Sequence, residues 1–306
     1  MDDRARFEEF ARLATEQRNP RTLDLDTLGS QEIVARISSE DRGVAEAVAR
    51  ELPHVARAVD LVVESFRAGG RLVYVGAGTS GRLGVLDASE CPPTFGSDPE
   101  MVQGVIAGGP QALVRAVEGA EDREEDGVQA IRALEVGARD TVIGIAASRR
   151  TPFVVAALAE ARRAGARTAY VTCTPREEFR LEVDVAICPV VGPEVLMGST
   201  RMKAGTAQKL VLNMITTAAF VRLGKVYENM MVDLRATSRK LVERSRRTVM
   251  TVTGVDYDTA GQAIEDSGKS VKTAIVMLKL GCGRAEAEQR LARAEGFVRA
   301  AIEERA

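Results

Sequence analysis

The chain has 306 residues, about twice the usual length of one domain, so it can bury a hydrophobic core without disulfides or bound metal. Forty-two Lys and Arg residues against 44 Asp and Glu residues give a net charge of −2, which argues against a dedicated nucleic-acid surface or a surface for anionic membranes. The chain has no tryptophan and only 4% aromatic residues, so platforms that stack on bases or carbohydrates are not expected.

The four cysteines form no Cys-x-x-Cys pair and have no histidine neighbours, so we expect free thiols in a reducing cytosol and no zinc site. The N-terminal residues are acidic where a signal peptide would be basic, and no apolar run approaches the length of a membrane span. The sequence therefore predicts a soluble cytoplasmic protein.

Helical patterns dominate the first 70 residues. Apolar residues at helical spacing predict a first helix up to Ala14. An extended segment is expected at Thr22–Leu28, then a short helix opened by Ser30, then a long amphipathic helix from about Arg42 to Ala68 that ends at Gly69-Gly70.

The pattern then changes to strands that alternate with helices. Strands are predicted at Arg71–Val75, Val102–Ala107, Thr141–Ala147, Thr168–Cys173 and Val183–Pro189. Helices are predicted from Ser80 onward and at Gln111–Leu134, Pro152–Ala164 and Lys203–Leu223. This alternation is typical of an α/β protein with a parallel sheet covered by helices on both faces.

No strand pattern remains beyond about Val232, and the rest predicts three or four helices. We therefore divide the chain into a helical and extended segment at 1–41, an α/β domain at 42–232 and a helical domain at 233–306. A basic run in the last part is interpreted as a solvated or subunit-contacting helix face; it consists of Arg235, Arg239, Lys240, Arg244, Arg246 and Arg247.

A glycine-rich loop, Gly76-Ala-Gly-Thr-Ser-Gly81, follows the first strand and opens a helix. A dinucleotide site would need a second strand that ends in an acidic residue about 20 positions later. Pro92 and Pro93 interrupt that stretch, so this interpretation is rejected. A helix N-terminus that binds an anion, with Thr79 and Ser80 as hydroxyl donors, remains open beside a tight turn without a ligand.

The junction after the third predicted strand, Ala146–Pro152, has the same character. Pro152 suits the first helical position, Thr151 suits the N-cap, and Ser148 adds a hydroxyl. Two such helix N-termini at the carboxyl edge of one parallel sheet predict a small phosphorylated ligand bound across the switch point.

Acid–base chemistry falls to residues other than histidine. His54 is the only histidine, and we expect it to be a packed helix residue. Glu90 stands out because it closes the helix that starts at the glycine loop and precedes Cys-Pro-Pro. Glu118, Glu121 and Asp122 form an acidic cluster whose members, taken singly, are ordinary surface acids.

Three long strings, Gly76–Gly96, Ala116–Asp122 and Met197–Gln208, resemble the N-acetylmuramic acid 6-phosphate etherase family of the SIS (sugar isomerase) superfamily. The Thr15–Asn19 string and the helical tail extend this resemblance over nearly the whole chain. It implies the SIS fold and a cofactor-independent lyase, which splits the lactyl ether of N-acetylmuramic acid 6-phosphate with water in cell-wall recycling. The products would be N-acetylglucosamine 6-phosphate and D-lactate.

The resemblance also implies roles for individual residues. Glu90 would be the proton donor and Glu121 the base that removes the C2 proton. The implied substrate-binding residues are Gly78, Thr79, Ser80, Ser148, Thr151, Glu194, Ser199, Arg201 and Lys203. One of the two cations in that set would hold the lactyl carboxylate, while a plain helix-face role for Lys203 stays open.

One position departs from the family pattern. Arg149 stands where the family has glycine in Ala-Ser-Gly-Arg-Thr-Pro. If that position has positive φ, a side chain costs about 1 kcal/mol and obstructs the phosphate pocket, so Arg149→Gly should lower KM. The alternative is a guanidinium contact with the phosphate, which would reverse that result.

Two other functions stay open on the same fold. One is a non-catalytic sugar-phosphate sensor similar to glucokinase regulatory proteins, which would leave the two glutamates idle. The other is an aldose–ketose isomerase. The resemblance further implies a homodimer whose site is completed across the subunit interface.

Overall fold

The structure is a computed structural model that describes residues 13–148, 151–234 and 238–303. The strands of its main sheet are β1 (Leu72–Gly76), β2 (Val102–Ile106), β3 (Thr141–Ile145), β4 (Arg167–Val171) and β5 (Val185–Ile187). The helices up to residue 222 are α1 (Ser30–Ala49), α2 (Leu52–Arg67), α3 (Gly78–Phe95), α4 (Glu124–Ala133), α5 (Pro152–Arg163) and α6 (Lys203–Arg222). All five predicted strands are therefore confirmed, with ends that shift by one or two residues.

The chain divides into two compact units. The first contains the described residues of Met1–Ala88 and of Glu100–Ile215. The second contains Ser89–Pro99 and the described residues of Thr216–Ala306. The division predicted from composition, with boundaries at 41 and 232, stays a prediction.

The sheet of the first unit is entirely parallel, with the strand order β2-β1-β3-β4-β5. Every residue of β1 and β3 is buried, as expected for central strands that are covered on both faces. Val73 and Val142 belong to a core cluster with α4 and α5. On the opposite face, Tyr74 packs against Gly84 of α3, and Thr141 Oγ1 lies 2.6 Å from Ser65 Oγ of α2. The predicted α/β class with helices on both faces is confirmed.

The N-terminal predictions need correction. Most of the predicted first helix lies outside the described residues, and a 3₁₀ turn at Ala14–Glu16 begins where it was expected to end. The predicted extended segment is wrong, because 3₁₀ turns occupy Pro20–Thr22 and Leu25–Thr27. Asn19 Oδ1 accepts a hydrogen bond from the Arg21 N–H at 3.0 Å, and this local bond favours a turn over an extended chain.

The long helix predicted at 42–68 is also wrong. Helix α1 begins at Ser30, as predicted, but continues to Ala49, and a second helix starts at Leu52. Pro53 is the reason for the break, since proline fits the first turn of a helix but lacks the N–H that a continuous helix would need at this position. His54 is half-buried in that first turn.

The single helix predicted at 111–134 is replaced by two 3₁₀ turns, Pro110–Leu113 and Ala120–Asp122, followed by α4. Gly119 has a φ of +70°, which stops a helix at that point. The break has a consequence for the site, because it places Glu121 on a separate turn rather than on the face of a helix.

In the second unit the helices are α7 (Arg239–Thr253), α8 (Tyr257–Asp266), α9 (Val271–Leu280), α10 (Arg284–Arg293) and α11 (Val298–Glu303). Beyond residue 232 the described residues thus hold five helices where three or four were predicted. A short hairpin of β6 (Val226–Tyr227) and β7 (Met230–Met231) precedes them. Arg235 of the basic run lies outside the described residues.

Helix α3 does not end at Glu90, contrary to the prediction. It runs through Pro92 and Pro93 to Phe95, and the Gly96 N–H donates to the Pro92 carbonyl at 2.9 Å. Phe95 is buried and stacks on Phe220, with ring centroids 4.5 Å apart. This packing within the second unit holds the last turn in spite of the prolines.

No helix in the described residues combines the length and the apolar character that crossing a membrane requires.

Candidate active site

A cavity of about 420 Å³ opens at the carboxyl ends of β1 and β3. These neighbouring strands are the place where the strand order reverses, since β2 lies on one side of β1 and β3 on the other. Ligands of open α/β sheets bind at such a switch point. The cavity wall comes from the loops after both strands and from the start of the described chain. Its polar members are Thr15, Glu16, Thr79, Ser80, Glu121, Asp122, Ser148, Thr151 and Thr200.

Two helix N-termini face this cavity. Helix α3 starts at Gly78 and α5 starts at Pro152, directly after Thr151. The Thr151 side chain makes no capping hydrogen bond, so the first amides of α5 have no side-chain partner from their own N-cap. Such helix starts attract anions through their free N–H groups and the positive end of the helix dipole.

The glycines of the first loop allow a close approach of strand and helix. A Cβ on Gly76 would lie 2.6 Å from the Gly81 nitrogen, which is shorter than any tolerated contact. Both positions therefore exclude side chains, and the chain turns from β1 directly into α3. The hydroxyl-bearing residues Thr79 and Ser80 are thereby held in the first turn of the helix.

Glu121 borders two cavities. It lines the large cavity and also a smaller one of about 160 Å³, and Ala77 and Gly78 lie in both walls. Glu121 is exposed on its 3₁₀ turn, where a carboxylate can meet a bound molecule. Arg82 lines the smaller cavity, and its Nε donates to the Leu113 carbonyl at 3.1 Å.

The start of the described chain forms another part of the wall. Leu13, Thr15 and Glu16 line the large cavity opposite the helix N-termini of the sheet edge. The Thr15 carbonyl accepts from the Gly198 N–H at 3.2 Å, and the Asn19 amide donates to the Pro193 carbonyl at 3.3 Å. These bonds attach the segment to a loop some 170 residues away in the chain.

Comparison with known proteins identifies the family. N-acetylmuramic acid 6-phosphate etherase from Salinibacter ruber is 62% identical over 303 residues, which covers 99% of this chain and 97% of that protein. The enzyme of that name from Pectobacterium atrosepticum is 55% identical, covering 95% of this chain and 96% of the relative. The chain belongs to the N-acetylmuramic acid 6-phosphate etherase family.

Two further comparisons concern parts of the chain. A family model described as the glucokinase regulatory protein N-terminal SIS domain matches residues 54–162. That range contains β1, α3, β2, α4 and β3, so the SIS fold predicted from the sequence is confirmed. A crystal structure of a putative phosphosugar isomerase involved in capsule formation, from Bacteroides fragilis, is 20% identical with a TM-score of 0.48. It covers 63% of this chain and 91% of its own.

The site residues that the family resemblance implies fall into three groups in the structure. The first group lines the large cavity and comprises Gly78, Thr79, Ser80, Glu121, Ser148 and Thr151. The second group is Glu90 alone. It is exposed on α3 and belongs to the second compact unit, so its pairing with Glu121 stays a prediction. Arg149 lies outside the described residues.

The third group lies in or just before the start of α6, off the cavity wall. Glu194 is 1% exposed, and its carboxylate accepts from the Lys203 and Ala204 N–H groups at 3.0 and 2.9 Å. It thus caps α6. Burial raises the pKa of Glu194, and the two backbone N–H groups oppose that shift. Ser199 and Arg201 flank Thr200, which does line the cavity.

Lys203 is committed to a buried ion pair. Its Nζ lies 3.1 Å from Glu40 Oε2, and both side chains are almost wholly buried. Glu40 also accepts from Arg21 and from the Asn19 amide. The hydrogen bond from Arg21 is the largest cause that lowers the pKa of Glu40 to about 2. Burial opposes it, and smaller contributions from Asn19 and Lys203 add to the lowering. These contacts place Lys203 in the protein's own framework and attach the N-terminal segment to α1 and α6.

Several wall residues are not among the site residues predicted from the sequence, namely Leu13, Thr15, Glu16, Gly198 and Thr200, and Asp122 is predicted only as a member of the acidic cluster. The Thr15–Asn19 string is part of the family resemblance, and this is a usable signal for Glu16. Asp122 and Thr200 lie beside residues that were predicted, so proximity in sequence was a second signal.

Proposed function

We propose that this chain cleaves the lactyl ether of N-acetylmuramic acid 6-phosphate by elimination followed by hydration, with Glu121 as base and Glu90 as acid. In the open-chain sugar the C1 aldehyde acidifies the C2 proton. Removal of that proton lets the C3–O bond break, and D-lactate leaves once its oxygen is protonated. Water then adds at C3 and yields N-acetylglucosamine 6-phosphate.

The observation that carries the proposal is the position of Glu121 between the helix N-termini and the smaller cavity. A phosphate held at the starts of α3 and α5, by Ser80, Ser148 and Thr151, anchors one end of the sugar. The middle of the sugar then reaches Glu121, whose exposed carboxylate can accept a proton. The assignment of Glu90 as the acid rests on the family resemblance and on its exposed position.

The smaller cavity suits the lactyl group. The lactyl oxygen is on C3, next to the carbon whose proton Glu121 removes, and Glu121 lines this cavity as well. Arg82 is the only cation among the described residues that line the two cavities, so we assign the lactyl carboxylate to it. Two carboxylates, Glu118 and Glu121, share this cavity wall with Arg82. Glu121 becomes neutral when it accepts the C2 proton.

We further propose a homodimer whose interface lies near the site. An apolar groove of about 430 Å³ involves Arg18 and Asn19 of the N-terminal segment and residues 195–197. Leu196 and Met197 are 58% and 56% exposed there, and contiguous exposed apolar side chains mark interaction surfaces. A second copy on this groove would cover the outside of the segment that forms the cavity wall. A monomer in sedimentation at micromolar concentration would contradict this assembly.

The central test is release of D-lactate from N-acetylmuramic acid 6-phosphate by the purified chain. A lyase gives D-lactate and N-acetylglucosamine 6-phosphate in equal amounts. A sensor gives neither product but binds the substrate, and an isomerase gives a ketose phosphate. No lactate at high enzyme concentration would overturn the proposal.

Arg82 is tested by a substrate whose lactyl carboxylate is replaced by the neutral amide. Arg82→Met should raise KM for the natural substrate by about tenfold, in line with the loss of one hydrogen bond to a charged group. The amide analogue should be cleaved equally by both proteins. An equal loss on both substrates would show that Arg82 does not recognise the carboxylate.

A further inference from the structure

A buried amide lies directly behind the cavity. Gln208 of α6 is 1% exposed, and its Oε1 accepts from Ser80 Oγ at 2.9 Å. Its Nε2 is fully buried and has no hydrogen-bond partner in the described part of the chain. Ser80 is 7% exposed and lies in the first turn of α3, on the cavity wall. The Ser80 hydroxyl therefore has the cavity on one side and this amide on the other.

The direction of one proton decides what Ser80 offers to the cavity. A serine hydroxyl carries a single hydrogen and two lone pairs. When that hydrogen points to Gln208 Oε1, only lone pairs remain for the cavity, and these repel a phosphate oxygen. A half-turn of the Gln208 amide exchanges its oxygen and nitrogen. Nε2 then donates to Ser80 Oγ, and the hydroxyl hydrogen is released towards the cavity.

The half-turn also changes which atom of the amide lacks a partner. In the first arrangement a buried N–H₂ group lacks a partner, which costs free energy comparable with a lost hydrogen bond. In the second arrangement Ser80 Oγ accepts one of its hydrogens and Oε1 takes the place without a partner, so the amide gains no bond by the turn alone and the phosphate must supply the gain. A phosphate oxygen that accepts the Ser80 hydrogen completes a chain from Nε2 through Oγ to the ligand, and such chains strengthen each bond in them.

We propose that Gln208 is a positioning residue that turns its amide when the phosphate binds and so makes Ser80 a hydrogen-bond donor. The inference rests on the proposed function, because it takes the phosphate to lie at the start of α3. It adds a residue outside the cavity wall to phosphate recognition and gives that residue no part in the proton transfers at C2 and the leaving oxygen.

The test is a double-mutant cycle with Ser80→Ala and Gln208→Met. KM, kcat and the Kd of N-acetylglucosamine 6-phosphate are measured for the wild-type chain, both single variants and the double variant. Gln208→Met keeps the side-chain length and removes both the amide oxygen and the amide N–H₂, so the Ser80 hydroxyl loses the N–H that supports its bond to the phosphate. It should raise KM and Kd by about fivefold and leave kcat within about twofold, since less than one full charged hydrogen bond is lost. In the Ser80→Ala background the same change should have no further effect. Gln129→Met, on the exposed face of α4, is the matched control and should alter neither constant.

Gln208→Glu provides a second route if the methionine variant does not fold. A carboxylate only accepts hydrogen bonds, so it holds the Ser80 hydrogen away from the cavity and adds a like charge near the phosphate. It should weaken binding of N-acetylglucosamine 6-phosphate more than Ser80→Ala does. If Gln208→Glu binds N-acetylglucosamine 6-phosphate as tightly as Ser80→Ala does, or more tightly, the inference is overturned.

The outcomes separate this inference from the proposed function. If Ser80→Ala raises Kd but Gln208→Met multiplies that loss in the double variant, Gln208 acts independently of Ser80 and the inference fails while the phosphate site stands. An unchanged Kd in Gln208→Met alone would also overturn the inference and leave the phosphate site standing. If Ser80→Ala itself leaves Kd unchanged, the phosphate is not at the start of α3, and both fail together.

Discussion

Two helix starts within the first unit differ in whether a side chain of the protein accepts hydrogen bonds from their first N–H groups. At the start of α6, the carboxylate of Glu194 accepts from the Lys203 and Ala204 N–H groups, and the Lys203 side chain is paired with Glu40. At the start of α5, the N-cap residue Thr151 makes no such bond, and its side chain lies on a cavity wall. One start carries its own anion. The other leaves its donors for a ligand.

The difference separates framework from site among residues of the same chemical type. Buried carboxylates are tolerated where cations or N–H groups surround them, as for Glu194 and Glu40. Glu121 is exposed on a cavity wall instead. We call the start of α6, with Glu194, Lys203 and Glu40, the closed start, and the cavity wall at the starts of α3 and α5 the open edge. Changes at the closed start should therefore affect stability, and changes at the open edge should affect the reaction.

The largest effect is expected for Glu121→Gln. Without a base at C2, both the exchange of that proton with solvent deuterium and the release of lactate should fall by about 10³-fold. Mass spectrometry of the sugar in deuterated buffer and an assay of D-lactate measure the two losses. Glu124→Gln, three residues later and exposed, is the control and should keep full activity.

Glu90→Gln sharpens the assignment of roles. It should block lactate release while exchange at C2 persists, because acid and base act at different atoms. An equal loss of exchange in the two glutamine variants would contradict separate roles.

The next effect is on stability at the closed start. Glu40→Gln leaves Lys203 buried without its counter-charge and should lower the free energy of unfolding at pH 7 by about 3 kcal/mol. Urea unfolding measures it, and exposed Glu46→Gln on the same helix is the control. Replacing Lys203 by Met in the same variant should recover part of the loss.

The pH dependence follows from the low pKa of Glu40. Its folded-state pKa of about 2 lies below the ordinary value of 4.5, so its stabilisation is complete above pH 4.5 and is lost as the pH falls towards 2. The stability difference between the wild-type chain and Glu40→Gln should therefore shrink over that range. A difference that is constant from pH 7 to pH 3 would contradict the assignment.

A tenfold effect is expected at the open edge for Ser80→Ala, which removes one hydrogen bond to the phosphate. KM for N-acetylmuramic acid 6-phosphate should rise by about tenfold with little change in kcat. Ser39→Ala, an exposed serine of α1, is the control. A fall in kcat at constant KM would place Ser80 in the chemical step instead.

The smallest effect is expected for Glu194→Gln, whose stability should depend on pH differently from that of the wild-type chain. Burial raises the pKa of Glu194, so the folded state binds its proton more tightly than the unfolded state does. The wild-type chain should consequently lose stability relative to Glu194→Gln as the pH rises above 4.5. Urea midpoints of both proteins from pH 4.5 to pH 8 provide the comparison, and parallel curves would show that burial does not govern this carboxylate.

Local patterns carried much of the prediction. The five strands, the glycine loop after β1 and the hydroxyl-rich junction after β3 are short-range features, and parallel strands bring their carboxyl ends to one edge. The loop before Glu121 was predicted as helix, because its apolar spacing is helical and the positive φ of Gly119 is not visible in that spacing. The run of α3 past Pro92 and Pro93 was missed for a related reason, since tertiary packing of Phe95 outweighs the local preference.

By itself the sequence determined the α/β class, the family resemblance and the residues that surround the switch point, because each of these resides in short strings and their periodicity. Only the tertiary structure decided which polar residues face the cavity and which face one another. Lys203 is paired with Glu40, 163 positions away, and its role in substrate binding stays a prediction. Gln208 lies behind Ser80 although 128 positions separate them. Such pairs depend on how helices pack against a sheet, and no local spacing encodes them.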